Sequence, residues 1–550
     1  MDEKVSTNIY DYLNQDEAYL LINMSVLQVI VELIGKCPQC PGKLEIFNDL
    51  ERRKGFAYLL KLRCKECLWE YDIYTSSKVC NSNKVGPKFI EMNLRMVLAF
   101  REIGRGLTAL ETFSQCMNMP SCIKQTSFDS IQKSLANGYL EVSRESQSKA
   151  AYETFQECSG DAAVADCNVS VDGTWQRRGY SSLNGVVTLM SNVNQKCIDT
   201  HVMSKCCKGC QNWERRKETE GDSYEIWKND HNCSINHTGS SGAMEVSGAI
   251  TMFKRSVDSY NLRYKGYIGD GDTKAHQSVV KAKPYGDVVI EKLECIGHVQ
   301  KRVGSRLRNL VKDTRGKKLS DGKPLSGKGR LTMKAINKLQ NYYGMAIRQN
   351  TSSVYLMKKS VAAVLFHCSQ HKSLDDQHKF CPRTPDSWCK YQQDKLSGAS
   401  TYKSSICLPS AVKDALAPIF KDLSSDELLS KCLHGQTQNV NEALHKMIWQ
   451  RCPKENYTSK VAVELATASA VVHFNEGSGG LINVMRKLGI KPGRFMLSLS
   501  KRKDKRRYQD SVEKSSERGK KRRKHLRAKK KGFEDTEKET EGETYSSGAF

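Results

Sequence analysis

The chain has 550 residues, of which 39% are hydrophobic and 27% charged, close to ordinary globular usage. This length allows roughly three to four domains, and 12 prolines with 38 glycines exclude a collagen-like or wholly disordered chain. An excess of 87 Lys and Arg over 61 Asp and Glu gives a formal net charge of +26, which favours a polyanionic partner such as nucleic acid.

The N-terminal segment has features of neither a membrane anchor nor a secretion signal. Its longest uncharged apolar run, residues 18–31, is shorter than the roughly 20 residues needed to span a bilayer. Residues 1–10 carry Asp2 and Glu3 and lack the basic, apolar and small-residue progression of a signal peptide. We therefore expect no membrane partner, and we expect the 21 cysteines to be buried thiols or metal ligands rather than disulfides.

Two C-x2-C pairs stand near the N-terminus. Cys37 and Cys40 form the first, and Cys64 and Cys67 form the second. Each tight pair directs two sulfurs at one ion, and the separation of the pairs is typical of a four-thiolate zinc site. Four unrelated buried cysteines would not explain both spacings, so the sequence predicts a zinc-ribbon-like domain over residues 1–85.

A helical region is predicted over residues 88–165. Apolar residues from Ile90 to Phe100 recur on one helical face, and breaks are expected at residues 104–106 and at Met119-Pro120. Short helices separated by such breaks are typical of a helix-turn-helix that binds DNA, although a small helical bundle has the same pattern.

Strand periodicity replaces helix periodicity from Asn168 onward. Two further apolar runs follow as consecutive strands. A fourth strand, from Tyr264 to Gly269, comes after a predicted helix, and a second predicted helix precedes a last strand over residues 288–295. The order β-β-β-α-β-α-β predicts a ribonuclease-H-like mixed sheet over residues 166–300, in an α/β fold.

Acidic residues follow two of these strands. Asp172 follows the first predicted strand and Asp270 the fourth, and these strands are neighbours in such a sheet. Carboxylates are the ligands that Mg²⁺ or Mn²⁺ prefers, and a pair of such ions supports in-line attack on a phosphodiester. A third carboxylate is expected on a later helix, and Glu442 begins a helical run within residues 436–485.

Four motifs in order resemble those of Mutator-like DDE transposases of animal genomes, over roughly residues 90–480. They are Asp172-Gly-Thr-Trp175, Gly269-Asp-Gly-Asp272, the segment from Glu294 to Arg302, and Thr437-Gln-Asn-Val-Asn-Glu442. The resemblance implies cleavage of transposon ends and strand transfer into target DNA, with Asp172, Asp270 and Glu442 as metal ligands.

Two points stay open within these motifs. Asp272 competes with Asp270 as the second catalytic acid; Asp270 is preferred because it follows the apolar strand directly, whereas Asp272 falls in the turn. Cys295 and His298 match the family's Cys-x2-His, whose role the sequence does not define.

Further Cys and His residues could form zinc sites. The first set, in an insert after the third strand, is Cys207, Cys210, His231, Cys233 and His237. A looser set is His367, His371, His378, Cys381 and Cys389. The alternative for the first set is a loop with reactive surface thiols, which is less favourable because free exposed cysteines are liabilities.

A basic helical insertion is predicted over residues 301–435 and a basic, then acidic, disordered tail over residues 486–550. The insertion begins with the basic residues Lys301, Arg302, Arg306, Arg308, Lys312, Arg315, Lys317 and Lys318, which would contact DNA phosphates or form a solvated face. The tail resembles a bipartite nuclear-localisation or DNA-binding segment. Its basic residues are Lys501, Arg502, Lys503, Lys520, Lys521, Arg522, Arg523 and Lys524.

The sequence therefore predicts a nuclear DNA transposase that uses Mg²⁺ or Mn²⁺ for catalysis and Zn²⁺ for structure. Its expected partners are double-stranded DNA, as transposon terminal repeats and target, and further copies of itself. Two alternatives stay open. One is a domesticated, noncatalytic DNA-binding protein derived from a transposase, and the other is a nuclease without strand transfer.

Overall fold

The computed structural model describes residues 21–79, 88–120, 123–177, 182–269, 274–385, 387–403, 406–454 and 458–523, together with 525, 526 and 529. The chain divides into two compact units. The first comprises residues 1–100, 105–142 and 476–550, and the second comprises residues 101–104 and 143–475.

The strands are β1 (Leu44–Lys54), β2 (Ala57–Cys64), β3 (Glu70–Tyr74), β4 (Lys78–Val79), β5 (Phe89–Ile90), β6 (Ala165–Trp175), β7 (Asn184–Ser191), β8 (Cys197–Ser204), β9 (Leu262–Gly269) and β10 (Glu291–Glu294). The helices are α1 (Met24–Ile34), α2 (Glu91–Glu102), α3 (Leu107–Cys116), α4 (Gln125–Cys158), α5 (Lys208–Glu214), α6 (Gly221–Asp230), α7 (Ser241–Tyr260), α8 (Lys274–Lys281), α9 (Ile296–Asp313), α10 (Met333–Arg348), α11 (Val354–His367), α12 (Leu374–His378), α13 (Lys390–Ser397), α14 (Ser410–Asp422), α15 (Asp426–Ser430), α16 (Asn439–Arg451), α17 (Lys460–Glu476), α18 (Gly480–Lys487) and α19 (Arg494–Ser515).

The first unit begins with α1 and a three-stranded antiparallel sheet in the order β1-β2-β3. Leu44 and Ile46 are buried and alternate with more exposed neighbours on β1, as expected of a sheet with one covered face. Leu44 pairs with Cys64 at the end of β2. A small apolar cluster of Cys37, Leu44 and Cys64, which Val31 of α1 contacts, joins the helix to the sheet.

Helices α2 and α3 end near the predicted breaks, but α4 runs unbroken for 34 residues to Cys158. It begins in the first unit, and its residues from Ser143 onward belong to the second. The unit boundaries at residues 142/143 and 475/476 thus fall inside the predicted ranges 88–165 and 436–485, and the predicted domain bounds stay a prediction.

The basic segment predicted to be disordered is helical over α19. The carboxylate of Asp504 accepts the N–H groups of Ser478 and Gly479 at 2.7 and 3.2 Å, which fixes the helix to the preceding turn. Asp510 also pairs with Lys514 one turn later, an arrangement that supports a charged helix. The acidic end of the tail, residues 534–543, lies outside the described residues.

The second unit is built on a five-stranded sheet in the order β10-β9-β6-β7-β8. β6, β7 and β8 are antiparallel neighbours, whereas β9 is parallel to β6 and β10 is parallel to β9. The first and fourth strands of this unit are thus adjacent, as the order of predicted elements required. All eight residues of β7, an interior strand, are buried, because helices cover both faces of the sheet.

Each face of the sheet has its own apolar cluster. Val187 and Leu189 of β7 join the cluster that includes Phe253 of α7. Val186 and Met190, which alternate with them, join the cluster formed with α16 and α17. Helices α9–α15 form a separate helical insertion between β10 and α16, with a core of their own. In the described part of the chain, no helix combines the length and the apolarity needed to cross a bilayer.

Candidate active site and metal-ligand clusters

Asp172 lies where β6 and β9 stop pairing. The last β6–β9 pair is Ser170 with Ile268, and β9 ends one residue later at Gly269. Strand β6 continues beside β7 to Trp175, so Asp172 is opposite Thr188 within a strand and not at the strand end that the Asp-Gly pair predicted. Its side chain is 26% exposed.

Helix α16 is fixed to the backbone of β6 by two amide side chains. Gln438 Nε2 donates to the carbonyl of Val171 at 2.9 Å, and Asn441 Nδ2 donates to the carbonyl of Ser170 at 3.2 Å. The Ser170 hydroxyl in turn donates to Asn441 Oδ1 at 2.7 Å. Asn441 is fully buried, so these bonds set the position of the helix beside the two residues that precede Asp172.

Glu442 follows Asn441 and is exposed to a cleft of about 480 Å³. Thr174 of β6 and His445 and Trp449 of α16 line the same cleft, and Trp449 Nε1 donates to Thr174 Oγ1 at 2.8 Å. Asp172 is not part of this lining, whereas His445, which lines the cleft with Glu442, contacts Asp172. The structure thus brings the end of β6 and the helix bearing Glu442 to one place.

His445 is a neighbour of Asp172 that the sequence analysis missed. Its Nδ1 lies 3.7 Å from Asp172 Oδ2, and its Nε2 lies 2.9 Å from the Thr188 hydroxyl. Burial, reinforced by the positive charge of Lys454, lowers the pKa of His445 to about 3, so the ring is neutral near pH 7. The sequence did contain a signal for this neighbour: His445 is three residues from Glu442, a spacing that puts both on one side of a helix.

Asp270 and Asp272 lie outside the described residues. The choice between them as the second acid stays a prediction. The structure does define the strand that precedes them, because Gly269 at the end of β9 pairs with Glu294 of β10.

The Cys-x2-His pair lies at the start of α9 and contacts the beginning of α16. Cys295 Sγ accepts the N–H of Gln438 at 3.3 Å. Burial alone would raise the pKa of Cys295, but hydrogen bonds with the His298 side chain and with the N–H groups of Gln438 and His298 leave it lowered. Among the described residues the pair belongs to none of the candidate metal groups. Cys295 contacts Gln438, the residue that also bonds α16 to β6.

The four N-terminal cysteines come together as predicted. Cys37 Sγ lies 3.5 Å from Cys67 Sγ, and Cys40 Sγ lies 3.4 Å from Cys64 Sγ. The N–H of Cys67, with that of Glu66, lowers the pKa of Cys64 to about 7 against the effect of burial, which favours the thiolate that binds metal. All four sulfurs lie within 4.8 Å of one another and could hold one zinc ion.

A second group lies between β8 and α7. Cys207 Sγ is 3.1 Å from His231 Nε2, and Cys210 Sγ is 3.5 Å from Cys233 Sγ. These four residues could hold an ion, with the His231 ring stacked on Trp227. His237 does not join them: its Nε2 lies 3.1 Å from the carbonyl oxygen of Ser240.

A third group, in the helical insertion, contains His367, His378, Cys381 and Cys389. His371, which the looser sequence pattern included, is not in it and stacks instead on Phe366. Four of the five predicted residues therefore converge in each of the two later sets.

The mixed sheet and the three Cys/His groups define an α/β protein with several candidate metal sites. Its family follows from comparison: a family model for Mutator-like transposases matches residues 19–389, and the chain belongs to that family. No curated protein and no solved structure matches the chain.

Family membership supports a transposase-related function and DNA binding in general. The matched region begins before the residue 90 expected from the motifs, so it includes all four N-terminal cysteines. It ends at Cys389, before α16. Asp172 therefore lies inside the matched region and Glu442 lies outside it.

Proposed function

We propose that the protein is a DDE-type DNA transposase that cleaves the ends of a transposon and joins the freed 3′-hydroxyl to target DNA. Asp172, Asp270 and Glu442 would hold Mg²⁺ or Mn²⁺, with Asp272 as the alternative second acid. The observation that carries the proposal is the attachment of α16 to β6 through Gln438 and Asn441, which brings the helix bearing Glu442 to the strand bearing Asp172.

The arrangement of the sheet supports a ribonuclease-H-like core. Three antiparallel strands are followed by β9, which is parallel to β6 and lies beside it, and by β10, which is parallel to β9; helix α7 connects β8 to β9 along the chain. In such a core the ends of the first and fourth strands face the same catalytic edge. The donor set proposed there consists of carboxylate oxygens, which suits a hard divalent cation.

The bound cations would activate the attacking water or hydroxyl and stabilise the leaving oxygen. The protein's own side chains would orient the ligands. If the Thr188 hydroxyl donates to Nε2 of neutral His445, Nδ1 carries the proton and faces Asp172. His445 would then direct the Asp172 carboxylate without adding a positive charge that competes with the cation.

Basic surfaces in both units would contact the DNA backbone. Lys301, Lys312, Arg315, Lys317 and Lys318 are exposed on and after α9. Arg302 pairs with Glu294 and Arg306 with Asp422, which reduces the positive charge that these two residues offer to DNA. Lys501, Arg502 and Lys503 are exposed on α19, as are Lys520, Lys521 and Arg522 beyond it, whereas Lys524 lies outside the described residues. Such side chains bind phosphates without reading sequence.

We further propose that the basic C-terminal segment directs the protein to the nucleus and that several copies act together on paired DNA ends. The N-terminal zinc ribbon and the helices that follow it would recognise the terminal repeats. These assignments follow from the transposase proposal and from the basic segments in the sequence.

The function is tested with the purified full-length protein and DNA that carries the terminal repeats flanking its gene. We expect cleavage and strand transfer in Mg²⁺ or Mn²⁺ and neither in EDTA, because the carboxylates act only through a bound cation. Products are measured on denaturing gels. Binding without cleavage would favour the domesticated DNA-binding protein, and cleavage without joined products would favour a nuclease.

A further inference from the structure

The helical insertion contains a cluster of two histidines and two cysteines remote in sequence from the proposed catalytic residues. We infer that His367, His378, Cys381 and Cys389 bind a structural Zn²⁺ ion that folds the outer part of this insertion. The two sulfurs and the two Nδ1 nitrogens lie within 4.8 Å of one another.

The distances within the cluster are those of a tetrahedral site. Cys381 Sγ lies 3.6 Å from His367 Nδ1 and 3.7 Å from His378 Nδ1. Cys389 Sγ lies 3.8 and 3.4 Å from the same two nitrogens. Zinc bonds of about 2.3 Å to sulfur and about 2.0 Å to nitrogen place these atoms about 3.5 Å apart on a tetrahedron. Four sulfur–nitrogen separations thus agree with one central ion.

Local structure fixes three of the four ligands. His367 ends α11 and His378 ends α12, while Cys389 is the N-cap residue of α13. Amide side chains hold both histidine backbones, since Gln377 Nε2 donates to the His367 carbonyl at 2.9 Å and Gln392 Nε2 to the His378 carbonyl at 3.0 Å. Hydrogen bonds that orient the ligands in this way are typical of metal sites.

Aromatic rings enclose the site. The His378 ring stacks on Tyr391 with centroids 4.5 Å apart, and the His367 ring meets Trp388 edge-on at 5.0 Å. His378, Cys381 and Cys389 are almost completely inaccessible to solvent. Burying closely packed polar groups is costly unless each has a partner, and a shared cation would satisfy all four ligand atoms at once.

The segment that carries the cluster lacks an apolar core of its own. Among its described residues from 369 to 403, the buried side chains are Ser369, Gln377, His378, Cys381, Ser387, Cys389 and Gln392. No described residue of this segment joins the hydrophobic cluster of the insertion, which includes Cys368 before it and Leu408 after it. Small segments without an adequate core need a metal or another cross-link to stay folded.

The test uses His378→Ala and Cys389→Ser in the full-length protein, with His371→Ala as the matched control. We expect each ligand variant to lose one equivalent of zinc by elemental analysis, with retention of zinc bound elsewhere. The control should keep the full wild-type content, because His371 lies on the same segment but outside the cluster. Retention of all zinc by His378→Ala and Cys389→Ser would overturn the inference.

Hydrogen exchange of the wild-type protein supplies a second readout that does not depend on a variant folding. Peptides from residues 369–403 should be protected with zinc bound and should lose protection after chelation, since metal binding supplies the folding free energy here. Readdition of Zn²⁺ should restore protection. Equal protection before and after complete zinc removal would show that the segment folds without metal and would contradict the inference.

Discussion

Asp172→Asn and Glu442→Gln should each reduce cleavage of terminal-repeat DNA by at least about 100-fold while leaving DNA binding within about twofold of wild type. Each amide keeps the shape of its side chain but removes one negative charge from the proposed cation site. Initial rates of cleavage in Mg²⁺, measured beside binding of the same DNA in Ca²⁺, separate chemistry from association.

Charge-matched controls distinguish a site effect from a general effect of added positive charge. Asp258→Asn on α7 and Glu427→Gln on α15 each remove an exposed carboxylate away from the cleft. Both should cleave at the wild-type rate. Cleavage at the wild-type rate by Asp172→Asn and Glu442→Gln would instead remove both residues from the catalytic proposal.

Cys64→Ser should unfold the N-terminal zinc ribbon and release one equivalent of zinc. Cys64 is completely buried and is both a candidate ligand and the last residue of β2. Structural zinc binding contributes on the order of 10 kcal/mol to the folding of small domains. The few apolar contacts in this sheet could not replace that free energy. Zinc content and hydrogen exchange of peptides from β1 to β3 measure the two losses.

Cys116→Ser is the matched control for the ribbon, because Cys116 is an exposed cysteine of α3 in the same unit and belongs to no candidate metal group. It should retain both the zinc and the protection of β1–β3. A Cys64→Ser protein with full zinc content and unchanged protection would show that the four cysteines are not a metal site.

Local patterns predicted the sheet of the second unit well. Alternating apolar residues and the order of strands and helices were sufficient to place the first strand beside the fourth, and pairs such as Ser170 with Ile268 show that adjacency. The same patterns did not predict how far β6 extends. An Asp-Gly pair usually marks a turn, but here Gly173 pairs with Val187, and Thr174 and Trp175 extend the strand.

The contacts that position the candidate site could not be derived from local sequence. Gln438 and Asn441 look like ordinary polar residues at a helix start, and only the fold reveals that they bond to carbonyls more than 250 residues away in sequence. The same holds for His445 and Thr188. Long-range pairs of this kind leave no periodic signal, whereas the spacing of Cys37, Cys40, Cys64 and Cys67 is itself the signal.

The sequence also could not predict which Cys and His residues belong to each candidate metal group. Spacing identified five candidates in each of the two later sets but could not choose four of them. His237 lies close to the chain segment that forms the second group, yet its ring faces the carbonyl of Ser240. His371 follows the first ligand of the third group by one helical turn in sequence, but α11 ends at His367 and the chain turns away.

Iron-directed cleavage of the protein backbone is the most direct test of the proposal that Asp172 and Glu442 belong to one divalent-cation site. Fe²⁺ binds carboxylate sites in place of Mg²⁺, and with ascorbate and peroxide it cuts nearby peptide bonds. The full-length protein should be cut near residues 172 and 442 together, excess Mg²⁺ should suppress both cuts, and Glu442→Gln should weaken both. Magnesium-sensitive cuts at only one of these positions, or at neither, would contradict the shared cation site.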